Sequence, residues 1–277
     1  MLARPLLNVR PAVRTYERLR LDLADDATTT LHVASFARQA VRPRIVSLGQ
    51  GRSLLACARE LGWRDAVVGG FFVRPDGVPL GELRIGGRAQ PAVPFAAPWD
   101  ELRSCVHIAG HAIRIAPRPT IAAEPPGDLL QAGPLLVRDG LVALDGRSDP
   151  EGFSVGAGQF DSDITVGRFP RAALALADDR VLAAVCDGRS DGEAGLTLAE
   201  LADALVDLGA QSAINLDGGG SASLVYGGGL RNRPREQHGL EILGGRPIAT
   251  AIVFEPDLGT QVWRRRRRQA ATLGPAG

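Results

Sequence analysis

The stretch that decides the fold and the site reads Ile214-Asn215-Leu216-Asp217-Gly218-Gly219-Gly220-Ser221. A short apolar strand ends here in an acid, three glycines and a hydroxyl. Three successive glycines cost backbone entropy, which a fold tolerates where a ligand must approach the backbone closely. Their amide N–H groups can form an anion-binding nest, to which Ser221 adds a donor. The stretch therefore predicts a ligand site at the end of a buried strand.

A second strand ends in the same way, at Val185-Cys186-Asp187-Gly188-Arg189. Two strands thus carry an acid at their carboxyl ends, one beside an arginine and the other beside glycine amides. Two tight turns would also explain both endings on spacing alone. The repetition makes Asp187 and Asp217 the candidate catalytic acids and predicts that their strands come together.

Regular elements surround these two endings. Thr197-Leu198-Ala199-Glu200 is a capping box that opens a helix to about Leu208. A second helix runs from Ser53 to Leu61 and ends at Gly62. Alternating or short apolar runs predict strands elsewhere: a hairpin over 16–36, strands at 66–68, 172–176, 181–186, 213–216 and 248–254, and a meander over 73–150 with a turn at Asp139-Gly140.

No repeat or linker divides this pattern. We therefore predict an α+β fold, a single domain of mixed, mostly antiparallel sheets with a few packed helices. The domain spans 16–256, between an N-terminal extension (1–15) and a disordered arginine-rich tail (257–277).

The amino-acid composition excludes several classes of catalytic mechanism. The 277 residues carry a net charge of +1, and all 32 basic residues are arginine. The absence of lysine excludes a P-loop lysine, Schiff-base catalysis and the Ser-x-x-Lys acyl-transfer enzymes. A cation that binds substrate must be arginine, whose planar fork suits phosphate and carboxylate.

The cysteines, the apolar stretches and the first residues of the chain indicate the cellular compartment. Three widely spaced cysteines argue against a disulfide framework. No apolar stretch is long enough for a transmembrane helix, so we expect no membrane span. The first residues lack the apolar core of a secretory signal. We expect a cytoplasmic protein, or a secreted one if the chain is already processed.

Several short motifs, in their order along the chain, resemble the phosphodiester glycosidase family. The specific one is the block from Asn215 to Ser221, preceded by Asp187-Gly188-Arg189. The weaker motifs, in order, are Gly69-Gly70-Phe71-Phe72, Gly133-Pro134-Leu135, Pro170-Arg171-Ala172-Ala173, Asn232-Arg233-Pro234 and Arg246-Pro247. Val68 and Ala172 depart from the family, which usually has asparagine and threonine there.

The resemblance implies hydrolysis of a sugar 1-phosphodiester at the anomeric C–O bond through an oxocarbenium-like state. The leaving phosphomonoester needs no strong general acid, so the site needs positive charge at the phosphate and a carboxylate near the anomeric carbon. Asp217 or Asp187 would supply that carboxylate, as base or nucleophile, and Arg171 and Arg189 would clamp the phosphate. The other expected substrate contacts are Asn215, Gly218, Gly219, Gly220, Ser221, Gly69, Gly70, Asn232 and Arg246.

The expected partner is a small sugar phosphodiester or a nucleotide sugar. Asn215 would orient sugar hydroxyls, although an asparagine at a strand end can equally bond its own loop. No cofactor is required, but either acid could hold a divalent cation against the phosphate.

Three other functions stay open. A metal-assisted phosphodiesterase would use Asp187 and Asp217 as ligands. A binding module would hold a phosphosugar or polysaccharide without turnover. A serine esterase would use Ser190 in a Gly-x-Ser-x-Gly elbow with Asp217 and His238, although the next helix cap comes only at Thr197.

Side features predict little further chemistry. Cys105, His107 and His111 have the spacing of metal ligands, but we expect a half-buried strand with satisfied histidines. Asp161 and Asp163 are expected in a solvated turn. Arg264–Arg268 could attract nucleic acid. Because acids balance the rest of the chain, we expect a disordered basic tail and no nucleic-acid partner; the oligomeric state stays open.

Overall fold

Short strands dominate the chain. The computed structural model describes residues 13–144, 149–154 and 166–257. Its strands, in chain order, are β1 (Arg14–Asp22), β2 (Thr28–Ala37), β3 (Val41–Ser47), β4 (Ala66–Val68), β5 (Phe72–Val73), β6 (Val78–Pro79), β7 (Leu83–Ile85), β8 (Arg88–Ala89), β9 (Ser104–Ala109), β10 (Ala112–Pro117), β11 (Asp128–Gln131), β12 (Leu135–Arg138), β13 (Leu141–Val142), β14 (Ala172–Leu176), β15 (Arg180–Cys186), β16 (Ser212–Asn215), β17 (Leu224–Tyr226), β18 (Gly229–Leu230) and β19 (Thr250–Pro256). The helices are α1 (Leu54–Leu61), α2 (Trp99–Leu102) and α3 (Leu198–Asp207).

The strands form three large sheets and one small pair. A seven-stranded sheet has the order β1-β2-β15-β14-β16-β12-β13, and two five-stranded sheets have the orders β10-β9-β11-β7-β8 and β18-β17-β4-β19-β3. Strands β5 and β6 pair with each other. Neighbouring strands within these sheets are antiparallel. The order places β14 at the centre of the largest sheet, between the two strands that end in Asp187 and Asp217.

The two faces of β14 serve different parts of the core because successive side chains of a strand point to opposite faces. Leu174 lies in the main core, together with residues of both five-stranded sheets such as Val106 and Ile252. Ala173 and Ala175 face the other way, into a layer formed with α3. Helix α3 turns Leu198, Leu201, Ala202 and Leu205 towards that layer.

Short capping and turn motifs in the sequence correctly predict the ends of several elements. Ser53 caps α1 and Gly62 ends it in a left-handed conformation. The Thr197–Glu200 capping box forms with both of its reciprocal bonds. Asp139 and Gly140 have φ of 52° and 74° and turn β12 into β13.

The balance of elements differs from an evenly mixed α+β protein. Of the residues that the structure describes, 43% are in strands and 16% are helical, so this part of the protein is mainly β, with three α-helices and antiparallel sheets. Strand β3, which the sequence pattern did not reveal, pairs along its length with β19.

No helix within residues 13–144, 149–154 and 166–257 could span a membrane. The cysteines are buried and unpaired. The Arg264–Arg268 run and Asp161 and Asp163 lie outside the described residues.

Candidate active site

The two acid-ending strands meet at one edge of the large sheet. Strands β15 and β16 are each antiparallel to β14, so they run in the same direction and end at the same edge. Pro170 lies between their ends. A Cβ on Gly188 would lie 2.9 Å from its ring, and one on Gly218 would lie 2.8 Å from its carbonyl oxygen. Asp187 and Asp217 therefore flank Pro170, as the sequence predicts.

Asp217 is held on a fixed backbone. Its amide N–H donates to the Gly69 carbonyl at 3.0 Å, and the Gly219 N–H donates to the Pro170 carbonyl at 2.7 Å. Burial raises the pKa of the Asp217 carboxyl from 3.8 to about 6, opposed by hydrogen bonds from Ser221 and the Gly218 N–H. Positive charge on Arg246 and Arg74 also opposes the rise. The carboxyl can therefore exchange a proton close to neutral pH.

Three arginines gather at the run from Asp217 to Ser221. The Arg189 guanidinium lies against Gly219, with Nη2 3.2 Å from the place a Cβ would occupy. Its Nη1 donates to the Arg235 carbonyl at 3.0 Å. Burial lowers the pKa of Arg189, and so does the positive charge of Arg246 and Arg74, whereas Glu236 raises it. Arg74, Arg189 and Arg246 thus form an electropositive cluster beside Asp217.

A second carboxylate completes the cluster. Glu236 pairs with Arg246 at 3.3 Å from Oε1 to Nη1. Its carboxyl carbon and both oxygens lie 3.0 Å from the place where a Cβ of Gly220 would be. Sequence reasoning missed Glu236 and Arg74. The only signals were an Arg-Glu pair right after the Asn232-Arg233-Pro234 turn and an arginine right after Phe72-Val73.

Close packing explains why positions 218, 219 and 220 are glycine. A side chain at Gly218 would collide with the Pro170 carbonyl, one at Gly219 would crowd Arg189, and one at Gly220 would crowd Glu236. Three amides of the run bond within the protein. The Gly218 N–H bonds the Asp217 carboxyl, the Gly219 N–H bonds Pro170, and the Ser221 N–H bonds the Gly218 carbonyl at 3.1 Å. The run brings the Arg189 and Glu236 side chains close to its backbone, and the predicted binding of phosphate by its amides stays a prediction.

The Asp187 carboxylate is buried and hydrogen-bonded within the protein. Its Oδ2 lies 2.9 Å from His32 Nε2, and its Oδ1 accepts the Arg233 N–H at 2.7 Å. Nδ1 of His32 lies 2.8 Å from the Tyr16 hydroxyl. Asp187 and His32 are only 4% and 3% exposed. The catalytic role expected of Asp187 stays a prediction, and two partners with little exposure favour a positioning role.

Arg171 is also committed to the fold. Its Nε donates to the Leu196 carbonyl at 3.0 Å and its Nη2 to the Gly167 carbonyl at 3.1 Å. Its guanidinium also packs on the Phe169 ring. The residue is 4% exposed. The phosphate clamp expected at Arg171 stays a prediction; its two carbonyl partners favour a structural role.

Two expected sugar contacts are buried instead. Nδ2 of Asn215 donates to the Gly133 carbonyl at 2.9 Å, and the side chain is 2% exposed. Asn232 accepts the Leu224 N–H at 2.9 Å and donates to the Ala222 carbonyl at 2.8 Å. Both amides fix the backbone around the site. The substrate roles expected of them stay predictions.

The Gly69-Gly70 pair, which follows β4, packs against Thr250. Gly69 packs on Thr250 so closely that a Cβ would lie 2.4 Å from Oγ1, and the Gly70 N–H donates to that oxygen at 3.0 Å. These contacts give the pair a packing role, and the binding role expected of it stays a prediction. Val68 and Ala172, the two departures from the family pattern, are fully buried in the main core.

Gly69→Ala is expected to lower the free energy of unfolding by about 2 kcal/mol or more, because the added methyl meets the Thr250 backbone and side chain. Urea denaturation measures the change. Gly229→Ala is the matched control, since its nearest neighbour atom is Arg231 Cζ at 4.0 Å. An unchanged midpoint for Gly69→Ala would show that the Gly69–Thr250 contact can relax.

The alternative sites do not form. Ser190 bridges to Glu193 in a tight turn, with no helix directly after it, so it is not a nucleophile elbow. Nε2 of His107 lies 2.8 Å from the Pro126 carbonyl oxygen, while Cys105 is fully buried. Within the part of the chain that the structure describes, no three His, Cys, Asp or Glu side chains cluster as metal ligands.

Comparison with known proteins finds one family and several structures of similar fold. A model of the phosphodiester glycosidase family matches residues 65–255. The catalytic domain of zebrafish N-acetylglucosamine-1-phosphodiester alpha-N-acetylglucosaminidase, auto-inhibited by its pro-peptide, is similar in structure, with a TM-score of 0.68 and 18% identity over 89% of this chain and 85% of that one.

Two further solved structures share the fold. A candidate exported protein of Burkholderia pseudomallei has a TM-score of 0.60 and 18% identity, over 83% of this chain and 75% of that one. A hypothetical protein from Synechocystis has a TM-score of 0.59 and 17% identity, over 87% of this chain and 62% of that one. No curated protein matches the chain in sequence.

Proposed function

Because this chain belongs to the phosphodiester glycosidase family, we propose that it hydrolyses a sugar 1-phosphodiester at the anomeric C–O bond. The products are the free sugar and a phosphomonoester. The observation that carries the proposal is the position of Asp217 beside Arg74, Arg189 and Arg246. Positive charge for a phosphate and a carboxylate for an anomeric carbon stand side by side.

The charges of the cluster match this substrate. Three guanidinium groups face two carboxylates, those of Asp217 and Glu236. When both carboxylates are ionised, one positive charge is left over. A phosphodiester carries one negative charge, so its binding would neutralise the cluster. The arginines supply the charge that a metal ion would otherwise provide, so the proposal needs no cofactor.

The reaction needs two kinds of stabilisation. As the anomeric C–O bond breaks, its electron pair leaves with the phosphate oxygen, and the arginines stabilise the charge that grows there. Positive charge develops on the sugar ring, which an adjacent Asp217 carboxylate stabilises. Water then adds at the anomeric carbon. Asp187 serves the site through the backbone, because it binds the Arg233 N–H and begins the turn that carries Arg189.

Isotope labelling tests the reaction directly. The protein is incubated with N-acetylglucosamine-1-phosphodiesters, a nucleotide sugar among them, in water enriched in heavy oxygen. Cleavage of the C–O bond places the label in the anomeric hydroxyl of the sugar and none in the phosphate. We expect label in the sugar, measured by mass spectrometry of both products.

The other outcomes each contradict the proposal. Label in the phosphate would mean attack at phosphorus, as in a metal-assisted phosphodiesterase. Binding without turnover on a broad panel of sugar phosphodiesters would mean a binding module. The Asp217→Asn protein, prepared in parallel, controls for contaminating hydrolases.

A further inference from the structure

Glu236 lies across the glycine run from Asp217. Its carboxylate sits directly over the Cα of Gly220, while Asp217 stands at the start of the same run. Arg246 pairs with Glu236 at 3.3 Å and is near enough to Asp217 to lower the pKa of that carboxyl. The two carboxylates therefore share one arginine.

The turn that carries Glu236 is fixed against the cluster. The Glu236 N–H donates to the Leu240 carbonyl at 2.9 Å, and the Gly239 N–H returns to the Glu236 carbonyl at 3.2 Å. Gly239 packs under Arg189, where a Cβ would lie 2.7 Å from the Arg189 carbonyl oxygen. Glu236 is thus positioned with Arg189 as well as with Arg246.

Access to water separates Glu236 from the other acid at this edge. The Glu236 side chain is 36% exposed, whereas that of Asp187 is 6% exposed and bonded to His32. A group that takes a proton from water must be reachable by water and hold an unshared oxygen lone pair. Glu236 meets this requirement, because Arg246 Nη1 reaches its two oxygens only at 3.3 Å and 3.4 Å, so that lone pairs on both oxygens stay available.

We propose that Glu236 is the base that takes a proton from the attacking water. This assignment rests on the proposed glycosidase function and names its second carboxylate. The water oxygen bonds to the anomeric carbon, its proton passes to a Glu236 oxygen, and the electron pair of the breaking C–O bond leaves with the phosphate. Asp217 stabilises the positive ring meanwhile. The proton later returns from Glu236 to solvent, so atoms and charges balance.

Glu236→Gln tests the assignment, because the amide keeps the shape and cannot take the proton. We expect kcat for sugar release to fall about 100-fold or more, with KM changed less than about threefold. Glu241→Gln is the matched control. Glu241 lies on the same loop, exposed and 3.6 Å from Arg235, and its variant should keep wild-type kinetics. Thermal unfolding of both variants checks that they fold.

A second variant separates base catalysis from positioning of Arg246. Glu236→Ala leaves space beside the anomeric carbon for azide, a nucleophile that needs no base. We expect azide to restore turnover at least tenfold and to yield a glycosyl azide. A rise in KM alone for Glu236→Gln, or no rescue of Glu236→Ala by azide, would overturn the base role.

The two proposals fail in different ways. If the wild-type protein releases no sugar from any phosphodiester, the glycosidase function itself is wrong. If the wild type is active and Asp217→Asn is dead, but Glu236→Gln keeps its kcat, only the assignment of Glu236 is wrong.

Discussion

Asp217→Asn is expected to lower kcat/KM for a sugar 1-phosphodiester by about 1,000-fold, which corresponds to about 4 kcal/mol of transition-state stabilisation. The neutral amide is nearly isosteric, and its oxygen can still accept a hydrogen bond from Ser221 or the Gly218 N–H. It cannot stabilise a positive sugar ring. Steady-state assays of sugar release measure the effect, and Asp203→Asn, at an exposed position of α3, is the matched control.

The pH profile of the wild type provides a second reading of the same group. Below a pKa of about 6 the Asp217 carboxyl is protonated and neutral. Because the proposed mechanism needs the carboxylate, kcat/KM should fall as pH drops below about 6. A profile that is flat from neutral to acidic pH would remove Asp217 from the ionised role.

Measurements of unfolding show whether an inactive Asp217→Asn variant has lost catalysis or has failed to fold. The Asp217 pKa is higher in the folded protein than its ordinary value of 3.8, so the fold disfavours the ionised form. Stability therefore falls as pH rises from about 4 to about 6, by about 3 kcal/mol at most. The asparagine variant escapes this loss. It should unfold at or above the wild-type temperature at neutral pH, and an inactive variant that unfolds earlier would not test the mechanism.

Arg189→Lys and Arg171→Lys are expected to fail in opposite ways. Arg189 belongs to the cluster beside Asp217, so its lysine variant should lose about 100-fold in kcat/KM and little stability. One ammonium cannot reproduce a two-pronged contact with phosphate. Arg171 donates to two backbone carbonyls. Its lysine variant should lose about 2 kcal/mol of unfolding free energy.

Paired measurements decide between the two roles. Kinetics and urea denaturation are run on both variants, and inorganic phosphate is titrated as a competitive inhibitor. Weaker inhibition by phosphate is expected only for Arg189→Lys. If Arg171→Lys keeps its stability and loses phosphate inhibition, Arg171 is the clamp and the burial argument is wrong.

Much of the framework was readable from the chain. The Thr197–Glu200 capping box, the Gly62 helix end and the Asp139-Gly140 turn depend on contacts within a few residues, so their patterns predict structure directly. The placement of Asp187 and Asp217 at one edge was also predictable, since both follow short apolar strands.

The roles of the site residues were less readable. Asp187 and Arg171 sit beside the correct motifs, yet His32 and the Leu196 carbonyl, 155 and 25 residues away along the chain, occupy them. Arg246 and Glu236 pair across a ten-residue loop that shows no periodic pattern. Nothing local distinguishes a polar side chain that faces substrate from one that braces the backbone.

The sequence alone therefore determined the family and the strand endings, because glycine runs, caps and apolar alternation act over short distances. Only the tertiary structure decided which polar groups are buried and bonded within the protein. Burial and hydrogen-bond partners are set by strands that meet from distant parts of the chain, and they bury Asp187, Arg171, Asn215 and Asn232. The same packing brought Arg74, Arg189, Arg246 and Glu236 together around Asp217.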